Sequence, residues 1–311
     1  MIDWKYHIKA GCSVLLITIM VLAGELLHET EIIFPEIAAL TVGAWLAPKQ
    51  PWKVNRLRML LLMSLSAFSG FAVSALFAVP LYVKLLTGLA ICIIILLVSR
   101  TTMLPLLSAS VLPILTGAKS IFYPISVIIL TLVILSGQWI FEKLHIREPY
   151  SFRRVTYHGK EECFRWGMIV SVFAAMASAA VFFNISYIIA PPLVVAFCEL
   201  TYRDSPARKS PMRIWLLMIC CAVSGAALRF LLCTYGGLPL WCAALVISVL
   251  ILYLMGFLKL FFPPAAALAI LPLIIDEGVL FYYPLEVTAG AAVFTLLAML
   301  VKLPHRQDMK D

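Results

Sequence analysis

Charged residues are scarce in this sequence. Asp, Glu, Lys and Arg together make up 13% of its 311 residues, while hydrophobic residues make up 63%. Ordinary soluble domains are apolar in about half of their residues, so this composition excludes that class and predicts a chain embedded in a lipid bilayer. The net charge of +8 is carried by loops between apolar runs, without the interleaved aromatic residues of a nucleic-acid surface. We therefore expect a bilayer, and no nucleic acid, as partner.

Motifs for catalysis and metal binding are missing as well. The sequence has no GxSxG, HExxH, Walker or dinucleotide-binding pattern. Its five histidines are scattered without metal-ligand spacing, and its eight cysteines form no CxxC pair. Seven of the cysteines lie in apolar runs, where Cys is a small packing residue. We therefore expect no enzyme, no metal and no other cofactor.

One stretch of the sequence occurs twice. Residues 58–70 read RMLLLMSLSAFSG, and residues 213–225, which lie 155 positions later, read RIWLLMICCAVSG. Upstream residues recur at an offset of 156, as Gly11 and Gly167 do, and downstream prolines recur at 159, as Pro80 and Pro239 do. A unit of roughly 150 residues has therefore been used twice.

Each unit contains six apolar segments. The first six are residues 8–27, 33–47, 58–77, 81–98, 103–118 and 122–141, and the second six are 166–183, 187–202, 214–233, 238–257, 261–275 and 284–303. We predict an all-α polytopic membrane protein with two six-segment repeats, at 1–141 and 166–303, a basic linker at 142–165 and a tail at 304–311.

The second and fifth segments of each repeat are short and begin at proline. About 15 residues give about 22 Å of helix, less than the ~30 Å hydrocarbon core. Each repeat therefore contains two successive triplets of a long, a short and a long segment. Because three spans reverse the direction of the chain, the two triplets have opposite orientations in the membrane. This order predicts a 3+3 inverted repeat with broken helices, as in several transporter folds.

The basic residues predict the orientation. With every segment spanning and the amino terminus inside, 21 of the 24 Lys and Arg residues fall on the inner side. Both termini should then be cytoplasmic and the two repeats parallel. We expect a multi-pass protein of the inner or plasma membrane.

The short segments are the first candidate for a binding site, because a helix that begins inside the membrane presents its N-terminus to an anion. Pro105 and Pro113, with Pro264 and Pro272 at an offset of 159, mark one pair of such segments. The other candidate residues of these segments are Pro35, Thr41, Ser108, Ser110 and Pro191. The alternative is that these prolines only occupy first helical turns at the membrane edge. Pro113 and Pro272, which lie eight residues inside their segments, favour an interior break.

Arg229 is the second candidate. It lies inside the ninth segment on the stripe of Cys221 and Gly225, and its position predicts that it faces protein or a cavity rather than lipid. It would contact an anionic substrate or an acid, unless it extends to the headgroups. Glu25, His28 and Glu36 offer either a proton relay or solvated interfacial groups, and the charged run HETE between them favours the interface.

The sequence also resembles the HPP family of bacterial and plastid integral membrane proteins. The resemblance lies in FPEIAALTVGAWLAPKQPW, with a QP turn at Gln50 and Pro51, and in FFPPAAALAILPLI, which is followed by Tyr283 and Pro284. The signature histidine is replaced by Phe262. A weaker likeness is to aromatic-acid exporters of the fusaric-acid-resistance type.

The HPP resemblance implies a secondary transporter or channel for a small anion such as nitrite, working by alternating access. An exporter of amphipathic organic acids, a lipid-carrier flippase and a non-transporting scaffold or complex subunit are the alternatives. A homo-oligomer is left open by the sequence.

Overall fold

The computed structural model describes residues 3–76, 78–150, 152, 155, 159–202 and 205–300, and these residues form helices and loops without a strand. The predicted all-helical class is confirmed. The predicted tail at 304–311 lies outside the described residues, as do Arg153 and Arg154 of the predicted linker.

The helices of the first half are α1 (Trp4–Leu26), α2 (Glu36–Thr41), α3 (Arg56–Leu76), α4 (Leu81–Ser99), α5 (Pro105–Thr116) and α6 (Phe122–Lys143). Those of the second half are α7 (Gly159–Phe183), α8 (Pro191–Leu200), α9 (Pro211–Arg229), α10 (Leu240–Leu258), α11 (Pro263–Ile270), α12 (Glu277–Leu280) and α13 (Tyr283–Leu300). π-helical turns continue α2 over Val42–Leu46 and α9 over Phe230–Tyr235, and a 3₁₀ turn, Leu271–Ile274, follows α11.

Eight of the described helices are long and apolar enough to cross a bilayer: α1, α3, α4, α6, α7, α9, α10 and α13. Their outward faces carry large exposed apolar side chains such as Leu15, Leu61 and Leu296, which are 58–61% exposed. Such faces suit acyl chains and would be unfavourable in water. The chain is therefore a multi-pass membrane protein.

One helix begins well before its predicted segment. Helix α7 starts at Gly159, inside the predicted linker, whereas the apolar segment was expected from Trp166. Its first turns carry Glu161, Glu162 and Arg165. Hydropathy marks only the apolar part of a helix, so a charged extension of the same helix is missed.

The four short helices form the centre of the bundle. Helix α2 packs against α11, α5 packs against α8, and α8 also packs against α11. Nearly every residue in these helices is buried, including all eight of α11. The long helices close the two halves around them, with α1 against α10 and α4 against α7.

Glycine allows the close approach of long and short helices. A Cβ at Gly70 of α3 would lie 2.3 Å from the Ser110 carbonyl oxygen of α5, and a Cβ at Gly225 of α9 would lie 2.2 Å from the Ala269 carbonyl oxygen of α11. A side chain at either position would collide with backbone, which cannot rotate away. These contacts fix the depth at which the short helices lie.

Basic side chains are grouped at one end of the bundle. One end holds the start of α1 and the end of α6, where Lys5 Nζ donates to the His145 carbonyl at 2.8 Å, and Arg56 pairs with Glu142. Arg58 and Arg208 bind carbonyls at the ends of α4 and α13 there. We call it the basic end. The opposite end holds the turns between α1 and α2 and between α9 and α10.

Candidate functional site

The centre of the first half contains a buried acid. Glu36, the first residue of α2, is 1% exposed, and its Oε1 accepts a hydrogen bond of 2.5 Å from the Ser108 hydroxyl of α5. Its Oε2 has no hydrogen-bond partner among the described residues. The expectation that Glu36 is an interfacial group is wrong, because the turn at Pro35 carries the chain from the charged surface run into the bundle.

The contacts of neighbouring residues place this acid deep in the bundle. The backbone N–H of Phe34 donates to Met20 Sδ, and Met20 lies six residues, or about 9 Å, before the end of α1. The first turn of α5 lies at the middle of α3, because the Ser66 hydroxyl donates to the Leu106 carbonyl at 2.5 Å. The acid therefore lies far from both ends of the long helices.

A second polar cluster lies on the other face of α5. Ser66 Oγ is 3.1 Å from Cys92 Sγ, and both groups bond to the Leu106 carbonyl. Ser110 Oγ lies beside Gly88 of α4 and close to the same Cys92 thiol. Of the two serines predicted in this helix, Ser108 therefore contacts the acid, whereas Ser110 faces α3 and α4.

The prolines at the starts of the short helices remove donors rather than offering them. Pro105 is the first residue of α5, and α8 and α11 each begin with two prolines, including Pro191 and Pro264. The next N–H groups already donate to nearby carbonyls, as Leu193 N does to Ala190 O at 2.8 Å. A helix N-terminus binds an anion through such N–H groups, so these N-termini have few donors left for one.

The two interior prolines behave differently. Helix α5 continues past Pro113 to Thr116, whereas α11 changes to a 3₁₀ turn around Pro272. Each proline lacks the N–H that would bind the carbonyl four residues earlier, on Ala109 and Leu268 respectively.

A tyrosine compensates for each missing N–H. The hydroxyl of Tyr123 donates to the Ala109 carbonyl, and that of Tyr283 donates to the Leu268 carbonyl, both at 2.7 Å. Backbone carbonyls at this depth need a partner within the protein. The recurring Tyr-Pro pairs at residues 123–124 and 283–284 were the sequence signal for this arrangement.

Arg229 lies inside the protein, as predicted, and is 8% exposed. Its guanidinium Nη1 donates to the carbonyls of Pro272 and Ile275 at the end of the turn after α11, and its Nε is without a partner among the described residues. A cation stabilises the carbonyl end of a helix, so Arg229 caps this one. Thr41, another predicted residue, donates to the Ala38 carbonyl within its own helix at 2.8 Å.

Arginines cap two further short helices. Arg147 Nη1 donates to the carbonyls of Trp45 and Ala47 beyond α2, and Arg208 Nη1 donates to the Leu200 carbonyl at the end of α8. Arg147 lies in the loop after α6, where burial lowers the pKa of its guanidinium below the usual range. These capping arginines were not predicted, because they lie in loops remote in sequence from the helices they bind.

Acids at the opposite end bind backbone rather than forming a relay. Both carboxylate oxygens of Glu25 accept N–H groups at the start of α10, from Leu240 at 2.6 Å and Trp241 at 2.9 Å. Glu31 accepts in the same way from residues 119 and 120. Among the described residues, no group of three or more His, Cys, Asp or Glu side chains could hold a metal ion.

A cavity of about 430 Å³ lies at the basic end, between α3 and α6. Its polar lining includes the Arg56–Glu142 ion pair and Gln138, whose Nε2 donates to Glu142 at 3.0 Å. These groups already satisfy one another, and the cavity does not reach the acid at the centre.

Comparisons of the chain with protein-family models, with curated proteins and with solved structures find no match. The resemblance to HPP proteins therefore has no further support and stays a prediction.

Proposed function

We propose that this protein is a secondary transporter in which two parallel six-segment repeats move around a site at mid-depth that is formed by their short helices. The observation that carries the proposal is the burial of all four short helices in one cluster, with an acidic group at its middle. Short helices and polar groups at membrane depth are costly unless protein or a cavity surrounds them. In transporters this arrangement forms the substrate site.

Matched contacts in the two halves support the repeat. Tyr123 and Tyr283, which are 160 positions apart, bind the carbonyls that lie four residues before Pro113 and Pro272. The residues that end α4 and α10, Arg100 and Lys259, are 159 positions apart and share φ values of 51°. The twelve proposed segments are the eight long helices and the four short helices with their terminal turns.

The course of the chain supports an inverted repeat within the first half. Helix α2 runs toward the basic end, where Arg147 binds its last carbonyls. Helix α5 runs toward the opposite end, where residues 119 and 120 bind Glu31. Their first turns meet at Glu36 and Ser108. Two helices that run in opposite directions and meet at their starts are what two inverted triplets would produce.

The distribution of basic residues supports the proposed orientation. We place the basic end in the cytoplasm and the protein in the inner or plasma membrane, because basic loops are retained on the cytoplasmic side.

A small anion is the first cargo to test, and nitrite is the first of that class. The cargo class rests on the resemblance to HPP proteins. A monovalent anion would approach Glu36 only while that carboxyl group is protonated, since two negative charges repel strongly at low dielectric.

Uptake into vesicles reconstituted with the purified protein tests the proposal, over a panel of small anions and amphipathic organic acids. We expect saturable uptake of a small anion. Ser108→Leu, which would fill the centre, should abolish that uptake, and Leu61→Phe on the lipid-facing side of α3 should leave it unchanged.

Saturable uptake of organic acids alone would move the assignment to an exporter of such acids, and movement of a labelled lipid carrier between leaflets would move it to a flippase. A protein that moves no solute under any gradient, and copurifies with a partner instead, would contradict transport and favour a scaffold.

A further inference from the structure

The Glu36 carboxyl group lacks a counter-charge. Among the described residues, no Lys or Arg nitrogen lies within salt-bridge distance of it, and the side chain that donates to it is the neutral Ser108 hydroxyl. An ionised carboxylate removed from water in this way costs several kcal/mol. Burial without a counter-charge therefore favours the neutral, protonated form of Glu36 in this conformation.

The side chains around Glu36 are not proton acceptors for it. In the part of the chain that the structure describes, the titratable side chains that interact electrostatically with it are Tyr123 on α6 and Tyr283 on α13. Both tyrosine hydroxyls donate to backbone carbonyls. Helices α1, α5, α6 and α11 pack against α2; Ser108 of α5 donates to Glu36, and α11 is apolar along its whole length.

We propose that Glu36 is the site that binds and releases the proton coupled to transport, an inference that rests on the proposed function. Glu36 belongs to the first half, and α11 of the second half packs against its helix. A movement of one half against the other would change the contacts of Glu36. When the site is open to one side of the membrane, a hydronium ion there gives its proton to the carboxylate and leaves water behind. When the site is open to the other side, the O–H bond of the carboxyl group breaks, the proton passes to water on that side and the carboxylate remains.

A proton fits this site better than a metal cation does. The site has one carboxylate and one side-chain hydroxyl, whereas hard metal cations take about six or more oxygen ligands. The position 156 residues after Glu36 holds Pro192, which cannot ionise. We therefore expect one coupled proton per cycle and, with a monovalent anion, electroneutral cotransport.

Infrared difference spectra of the purified protein, recorded between alkaline and neutral pH, test the proton site without transport. We expect the C=O stretching band of a protonated carboxyl group, which should disappear in Glu36→Gln. The control Glu148→Gln, at an exposed position, should retain it. A band that persists in Glu36→Gln would overturn the inference.

Vesicles with an imposed pH gradient test the coupling, with nitrite or another anion taken up by the wild-type protein. One pH unit would drive about tenfold accumulation of a monovalent anion carried with one proton. In Glu36→Gln we expect no accumulation, while exchange of labelled for unlabelled anion continues because that step moves no net proton. Retained exchange would also show that the variant is folded.

The outcomes separate the two proposals. Undiminished tenfold accumulation by Glu36→Gln would overturn the role of Glu36 and leave the transporter in place. A wild-type protein that moves no solute at all would overturn both.

Discussion

The two halves of the bundle share their packing but not their polarity. Gly70 and Gly225 let long helices touch short ones, and each half has a tyrosine that binds the carbonyl freed by an interior proline. The polar residues at the centre belong to one half alone. Glu36, Ser66, Ser108 and Ser110 of the first half correspond to Pro192, Cys221, Ala267 and Ala269 of the second.

This difference shows which constraints act on the whole fold and which on one site. Helix contact and carbonyl satisfaction are needed wherever a short helix is buried, so both halves keep them. Buried polar side chains cost free energy and are unnecessary for packing, as the second half demonstrates with alanines. Their retention in the first half points to chemistry, and the following variants measure how far the comparison holds.

The largest effect is expected at the glycine contacts. Gly70→Ala and Gly225→Ala should each lower the free energy of unfolding by about 3 kcal/mol, because the added Cβ would overlap backbone of the short helix. Gly11→Ala and Gly167→Ala are matched controls with no atom within 4 Å of the added Cβ, and they should stabilise by about 0.5–1 kcal/mol. Thermal unfolding in detergent would measure all four. A large loss in one half alone would break the equivalence of the halves.

Arg229→Met should cost about 2–3 kcal/mol, because two buried carbonyls lose a charged donor. The first-half position that corresponds to Arg229 holds Ser74, whose carbonyl accepts a hydrogen bond from Lys84 Nζ of α4, and Lys84→Met should cost about 1 kcal/mol. Thermal unfolding in detergent, together with anion uptake into vesicles, would test both variants. Arg229→Met protein that is fully stable but inactive would contradict the capping role and support the predicted anion contact.

Tyr123→Phe and Tyr283→Phe should each cost about 1–2 kcal/mol, since each leaves one buried carbonyl without a donor. Equal losses in chemical or thermal unfolding would sharpen the comparison. Adding Pro113→Ala to Tyr123→Phe should recover much of the loss by restoring the helical N–H. Failure of that rescue would show that the tyrosine acts through packing instead.

Ser110→Ala should change stability by less than about 0.5 kcal/mol, because the partner that its hydroxyl would lose is the weakly bonding Cys92 thiol. The reverse change at the equivalent position, Ala269→Ser, should destabilise, as it would bury a new hydroxyl against α9. Thermal shifts of both variants measure the difference. A clear loss for Ser110→Ala would mean that this hydroxyl binds something in the working protein.

The long helices were predictable because apolar length and recurrence mark them directly. The segment predicted at 81–98 is helix Leu81–Ser99, and that predicted at 122–141 is helix Phe122–Lys143. The start of α7 was not predictable from hydropathy, because its first turns are charged and extend beyond the apolar part.

The site was harder to predict. In a membrane protein both the buried and the lipid-facing sides of a helix are apolar, so periodicity does not reveal which side faces the centre. Glu36 follows a charged run by a few residues, and the sequence gives no sign that one turn takes it inside. Arg229 was correctly placed within the protein, but its carbonyl partners depend on where α11 ends, and that is a property of the assembled fold.

The burial of the short helices has a consequence for biogenesis. Helix α2 leaves the ribosome more than 200 residues before α11, the helix that it packs against in the finished bundle. Until then α2 has only its partners in the first half, among them Ser108 of α5, and the face that α11 will cover is without its final neighbour. We therefore expect the first half to be less stable before α11 is added, so that a chain truncated after α6 is degraded faster by membrane proteases than the full chain.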